Sequence, residues 1–168
     1  MSRSAVTTTL RVATYNIHSC VGTDGRHDPE RVAAVLGELD ADVIGLQEVA
    51  ARPDRTPIDQ FAYLARATGM APIAQPLVSE GGGHYGNMLL SRLGPLAARR
   101  LDLSQPGREP RGAIEARLDL GGGRRLRFVT THLGLSAAER ARQVARLLDV
   151  LDHQPHDGET VMAGDFNE

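Results

Sequence analysis

The chain has 168 residues, 41% apolar and 24% charged, the size and balance of one soluble globular domain with a sizeable core. Its net charge of −2 gives no global basic field for nucleic acid, and all 19 basic residues are arginines, which excludes Schiff-base chemistry and a phosphate-loop lysine. The lone cysteine, Cys20, excludes an intramolecular disulfide and a cysteine-rich zinc site.

The N-terminus lacks the apolar core of a signal peptide, and no run approaches the length of a membrane span. The expectation is a soluble, cytoplasmic monomer of a reducing compartment, with a tail over 1–9 and one domain over 10–168. Residues 10–18 are rich in β-branched and aromatic side chains and read as a strand, with Asn16 near its exit. His18 and Cys20 would share a face there. That leaves a thiol nucleophile open beside the plainer reading, a buried and inert thiol. Asp28-Pro29-Glu30 starts a helix, with Val32, Val35, Leu36 and Leu39 on its apolar face. Residues 43–49 (VIGLQEV) are an apolar run ending beside a carboxylate, Glu48, and read as a strand buried on both faces.

Residues 52–55 read as a polar loop. Thr56-Pro57 opens a second helix, with Phe61, Leu64 and Ala65 inside and Gly69 as its stop. A strand is expected over 71–78. Gly81-Gly82-Gly83 is a hairpin turn or a mobile loop at the site, and 87–91 and 97–103 are further strands. Residues 104–111 form a loop. Alternation over 112–120 marks a half-exposed strand, which three glycines at 121–123 turn into a returning strand over 126–132. Ser136 and Glu139 form a capping box for a helix reaching about residue 152, with Val144, Leu147, Leu148 and Leu151 inside. Loop 153–159 leads to a last strand over 160–163 and then Gly164-Asp165-Phe166-Asn167-Glu168.

One grammar recurs: an apolar strand, then an oxygen or nitrogen side chain at its exit. Asn16, Glu48, His132 and the pair Asp165 and Asn167 all follow it. Singly, each has a plain reading as a solvated strand end, a structural histidine or turn chemistry. Together they suit cleavage of a phosphate ester. A hard cation on Glu48 would neutralise a phosphoryl oxygen, and the asparagines would bond metal or phosphate. Asp165 would orient or deprotonate a water, and His132 would bind phosphate or move a proton.

The segments TYNIH (14–18), LQEV (46–49), YGNMLLSR (85–92), THL (131–133), RxxQ (140–143) and GDFN (164–167) occur in that order. Together they resemble the endonuclease/exonuclease/phosphatase superfamily, the metal-dependent phosphoesterases related to pancreatic DNase I, from Leu10 onward. The resemblance implies a four-layered α/β sandwich, two mixed sheets face to face with helices outside. It implies Mg²⁺ or Mn²⁺ on Glu48 with Asn16 beside it, and His132 contacting phosphate or donating a proton. Asp165 would position nucleophile or leaving group, and Asn167 would stabilise the transition state. Asn87 would lie on the rim near His132. Arg111 would reach substrate phosphate, its alternative being a surface arginine.

The chain also departs from that pattern. The family continues past GDFN to a further Asp and an Asp-His pair that activates water, and this sequence ends at Glu168. The expectation is a domain missing its last strands, with a non-catalytic fragment that keeps metal or phosphate binding as the alternative reading. The substrate would be nucleic acid, a phospholipid headgroup or a small phosphodiester. Arg99, Arg100, Arg108 and Arg111 could supply phosphate contacts, while Arg124, Arg125 and Arg127 read as a solvated face.

Overall fold

Apolar runs become inner strands, and amphipathic runs become the helices that cover them. The computed structural model describes residues 9–52, 58–80, 83–154 and 158–168. Strands β1 (Val12–Asn16), β2 (Val43–Ala51), β3 (Ala71–Glu80) and β4 (Gly83–Ser91) form one mixed sheet in the order β1-β2-β4-β3. Strands β5 (Pro95–Asp102), β6 (Gly112–Gly121), β7 (Arg124–His132) and β8 (Glu159–Asp165) form a second in chain order. Helices α1 (Pro29–Leu39) and α2 (Gln60–Thr68) cover the first sheet, and α3 (Ala137–Asp152) covers the second. This is the expected four-layered α/β sandwich.

Strand β2 shows why its sequence is apolar without alternation. Ile44 and Leu46 pack under α1 and α2, while Val43 faces the inter-sheet core with Leu89, Ile114 and Phe128. Against the facing sheet, a Cβ on Gly45 would lie 2.1 Å from Thr130 Oγ1, so only glycine fits. Gln47, fully buried beside this point, donates to Thr14 Oγ1 and to Thr130 Oγ1 of the facing sheet, each at 3.1 Å.

Asp28 caps α1 by accepting from Arg31 N, with Pro29 in the first turn. Residues 56–57, expected to open the second helix, lie outside the described residues, as does part of the 52–55 loop; the cap of α2 is Asp59, and Gly69 ends it in the left-handed conformation. Strands β3 and β4 pair as a hairpin, from Glu80 opposite Gly83.

Several expected faces are corrected. Leu39, Val144 and Leu148 are 41%, 39% and 48% exposed, although their spacing placed them inside. The buried stripe of α3 is Glu139, Gln143, Leu147 and Leu151, so two polar residues hold positions that apolar counting would deny them. Strand β6 is not half-exposed. Its residues 112–116 are all buried, because the second sheet is covered on both faces. Arg127, read as part of a solvated face, is buried and donates to the carbonyls of Leu151 and Gln154 at the end of α3. No helix among the described residues is long and apolar enough to cross a membrane.

Candidate active site

Strand β1 runs parallel to β2, and β7 parallel to β8. All four therefore deliver their C-terminal ends to one rim, where the two sheets meet. Asn16 leaves β1, His132 leaves β7 and Asp165, opposite His132 in register, leaves β8. Glu48 reaches the same rim from inside β2 by breaking the ladder. Pairing with β4 shifts register between Leu46 and Val49, and Glu48 has φ +59. A left-handed residue that is not glycine costs on the order of 1 kcal/mol or more, strain that clusters at functional positions.

The Asn16 amide joins the two sheets. Its Nδ2 donates to Glu48 Oε1 at 2.8 Å and to Asp165 Oδ2 at 2.8 Å. Its Oδ1 accepts from His18 N at 3.0 Å. His18, Ser19 and Cys20 all have positive φ, a tight turn after β1. Gln60, fully buried, secures that turn by donating to Ser19 O at 2.6 Å and accepting from Ala50 N. His18 thereby brings Nδ1 to 3.2 Å from Glu48 Oε2. Cys20 lies in the core instead, where burial pushes its thiol up to about 12, so it is no nucleophile.

Asp165 Oδ1 accepts from Asn167 N at 3.1 Å, and Oδ2 lies 3.7 Å from His132 Nε2. Burial works to raise the Asp165 carboxyl. The Asn16 amide, the Asn167 N–H, His132 and Arg111 outweigh it and hold the group below its ordinary value. His132 is pushed below its ordinary value by burial first and by Arg111 second. At neutral pH it is therefore a neutral imidazole. The glycine of Gly164-Asp165 is required sterically, since a Cβ there would sit 2.1 Å from Thr131 O.

Arg111 is not a surface arginine. It is 5% exposed, pairs with Glu109 at 2.9 Å, and donates from Nε to Leu133 O at 3.2 Å. Asn167 Nδ2 reaches the same carbonyl at 2.7 Å. Asn87 is buried below the rim, with its amide donating to Gly112 O at 3.0 Å. Arg99 and Arg100 do not join the site; the former pairs with Glu115 and the latter donates to Ala74 O at 2.5 Å.

Two rim residues escaped sequence reasoning. Tyr85 stands beside Glu48, and burial first, with the Glu48 charge second, pushes its phenol up, so it stays protonated. It stands two residues before Asn87 on β4, and strand periodicity could have flagged it. Glu109 carried no signal of its own. A cavity of about 600 Å³ opens beside the cluster, lined by Thr14, Asn16, Gln47, Gly164, Asp165, Phe166, Asn167 and Glu168.

Among the described residues no group of three or more His, Cys, Asp and Glu side chains could cage a metal. The oxygens brought together are those of the Glu48 and Asp165 carboxylates, bridged by Asn16 Nδ2, while Asn16 Oδ1 accepts from His18 N. The two carboxylates fit a cation such as Mg²⁺ that keeps several waters and binds through one or two carboxylates.

The fold and this rim define a DNase I-like protein. The model of the Endonuclease/Exonuclease/phosphatase family matches residues 13–168, and the chain belongs to that family. It is 32% identical over 173 aligned positions to the uncharacterised protein YbhP of Escherichia coli (strain K12), covering 95% of this chain and 67% of YbhP. An endonuclease/exonuclease/phosphatase structure from Beutenbergia cavernae superposes with a TM-score of 0.73 at 30% identity, over 94% of this chain and 47% of that one. The D. rerio TDP2 complex with a single-strand DNA product superposes with a TM-score of 0.70 at 20% identity, over 95% of this chain and 61% of that one. The chain thus spans about half to two thirds of the length of these relatives. Members of the family are hydrolases acting on phosphate esters and generally use divalent metals.

Proposed function

We propose that this rim is the centre of a metal-dependent phosphoesterase that cleaves a phosphodiester. The observation that carries the reading is the Asn16 amide, which holds Glu48 and Asp165 from opposite sheets in one oxygen cluster. Glu48 and Asn16 would hold Mg²⁺ or Mn²⁺. Such an ion, when bound, supplies charge neutralisation at a phosphoryl oxygen and at the leaving group.

The chain's own side chains do the rest. Arg111 and Asn167, fixed on one carbonyl, donate to the phosphate and to the charge that builds on it. His132, held neutral, offers one ring N–H and one lone pair and bonds the phosphate or moves a proton. Asp165, held ionised, orients a water or takes its proton. Asn87 supports the site from below through Gly112. The DNA product seen in the TDP2 complex supports a phosphodiester, while the net charge of −2 favours a small one over a long polyanion.

The test is hydrolysis of bis(4-nitrophenyl) phosphate with Mg²⁺ or Mn²⁺ by the chain and by Glu48→Ala. Metal-dependent turnover lost in the variant is the expected result. Turnover without metal, or full activity in Glu48→Ala, overturns it. Metal or phosphate binding without turnover makes the chain a binding fragment.

A further inference from the structure

The Leu133–Gly134 peptide unit is gripped from both sides. Its carbonyl accepts from Arg111 Nε at 3.2 Å and from Asn167 Nδ2 at 2.7 Å. Its N–H, which in a trans peptide points the opposite way, donates to Gln143 Oε1 at 2.8 Å. Gln143 is fully buried on α3, and its amide is oriented in turn. Its Nε2 donates to Glu139 Oε1 at 3.1 Å, one helical turn earlier. The Glu139 carboxylate, 4% exposed, lies over Gly134 so closely that a Cβ there would stand 2.1 to 2.5 Å from its atoms. Arg140 donates to the next stretch of the same turn, at Leu135 O, at 2.8 Å.

Apolar packing does not explain this arrangement. Two polar side chains occupy the buried stripe of α3, where leucine would bury more apolar surface at no polar cost. Glu139 bonds Gln143 and Gln143 bonds one peptide plane, and that plane anchors the arginine and the asparagine proposed to face phosphate. We infer that Gln143, oriented by Glu139, is a positioning residue that fixes the Leu133 carbonyl and through it sets the donors of Arg111 and Asn167. The role rests on the phosphate reading of those two residues, and it gives the Arg140-x-x-Gln143 segment a purpose.

The experiment reads position separately from activity. In ¹H–¹⁵N spectra of the full chain, the Arg111 Nε–H and the Asn167 side-chain amide should be resolved and slow to exchange. In Gln143→Met, close in volume but without the amide, both should move toward free-side-chain shifts and exchange faster while thermal unfolding stays cooperative. Inorganic phosphate should bind about tenfold more weakly, the worth of one charge-assisted hydrogen bond. The exchange Glu139→Gln with Gln143→Glu restores a donor at 139 and an acceptor at 143 and should recover both resonances. If Gln143→Met does not fold, Gln143→Glu alone is read against the double variant. Resonances unmoved in the single variant, or a double variant no better than the single, overturn the inference. A wild type with both resonances protected but no phosphate binding sinks the functional reading and leaves the positioning role standing.

Discussion

Glu48 and Glu115 are both carboxylates drawn out of water, and their surroundings differ in sign. Glu115 on β6 is 1% exposed and is ringed by arginines: Arg99, Arg117 at 3.7 Å and Arg127 at 3.6 Å. Its charge is over-compensated, and Arg127 continues from it to the carbonyls at the end of α3, where a cation complements the helix dipole. Glu48 has an amide, a phenol and a second carboxylate around it, and His18 is its only salt-bridge partner among the described residues. One cluster supplies its own cations and holds the fold. The other sets two carboxylates, Glu48 and Asp165, on either side of one amide donor at an open rim.

That contrast can be broken by substitution. Glu115→Gln leaves a buried guanidinium without its counter-charge and should cost about 3–5 kcal/mol in urea unfolding, with the Mn²⁺ response intact. Unchanged stability would remove Glu115 from its structural role. Arg127→Met releases two carbonyls at the end of α3 and should cost about 1–3 kcal/mol by the same measurement. At position 48 the order of stabilities should invert the usual one. Glu48→Gly should be more stable than Glu48→Ala by about 0.5–1 kcal/mol, because only glycine adopts φ +59 without strain. Alanine the more stable would mean the bulge relaxes. The smallest effect concerns Cys20, a buried group with no charge to balance. With its thiol pushed up to about 12, it should resist a disulfide reagent at pH 8 until the chain unfolds. Rapid labelling of the native protein would show that the turn after β1 opens.

The sequence showed the strand exits and hid what braces them. Asn16, Glu48, His132 and Asp165 were legible because each interrupts an apolar run at its end, and parallel pairing brings such ends together. Arg127 and Glu115 were not legible. Alternation on β6 and β7 says which side a residue takes and nothing about whether a helix covers that side. The burial of Gln143 and Glu139 was hidden for the same reason. Their amide and carboxylate are satisfied by each other and by one peptide group, so a rule that counts apolar residues gave their places to Val144 and Leu148. Tyr85 was missed because an aromatic on a strand reads as packing, and its place beside Glu48 depends on a bulge that no local pattern announces.

The contact between Asn16 and Asp165 spans 149 residues of chain and joins one sheet to the other. Neither sheet alone contains the cluster, so its geometry exists only where the two sheets are packed together. An ion or phosphate captured there would act as a rivet across that joint. Its occupancy would report, from a single point, whether the sandwich has shut.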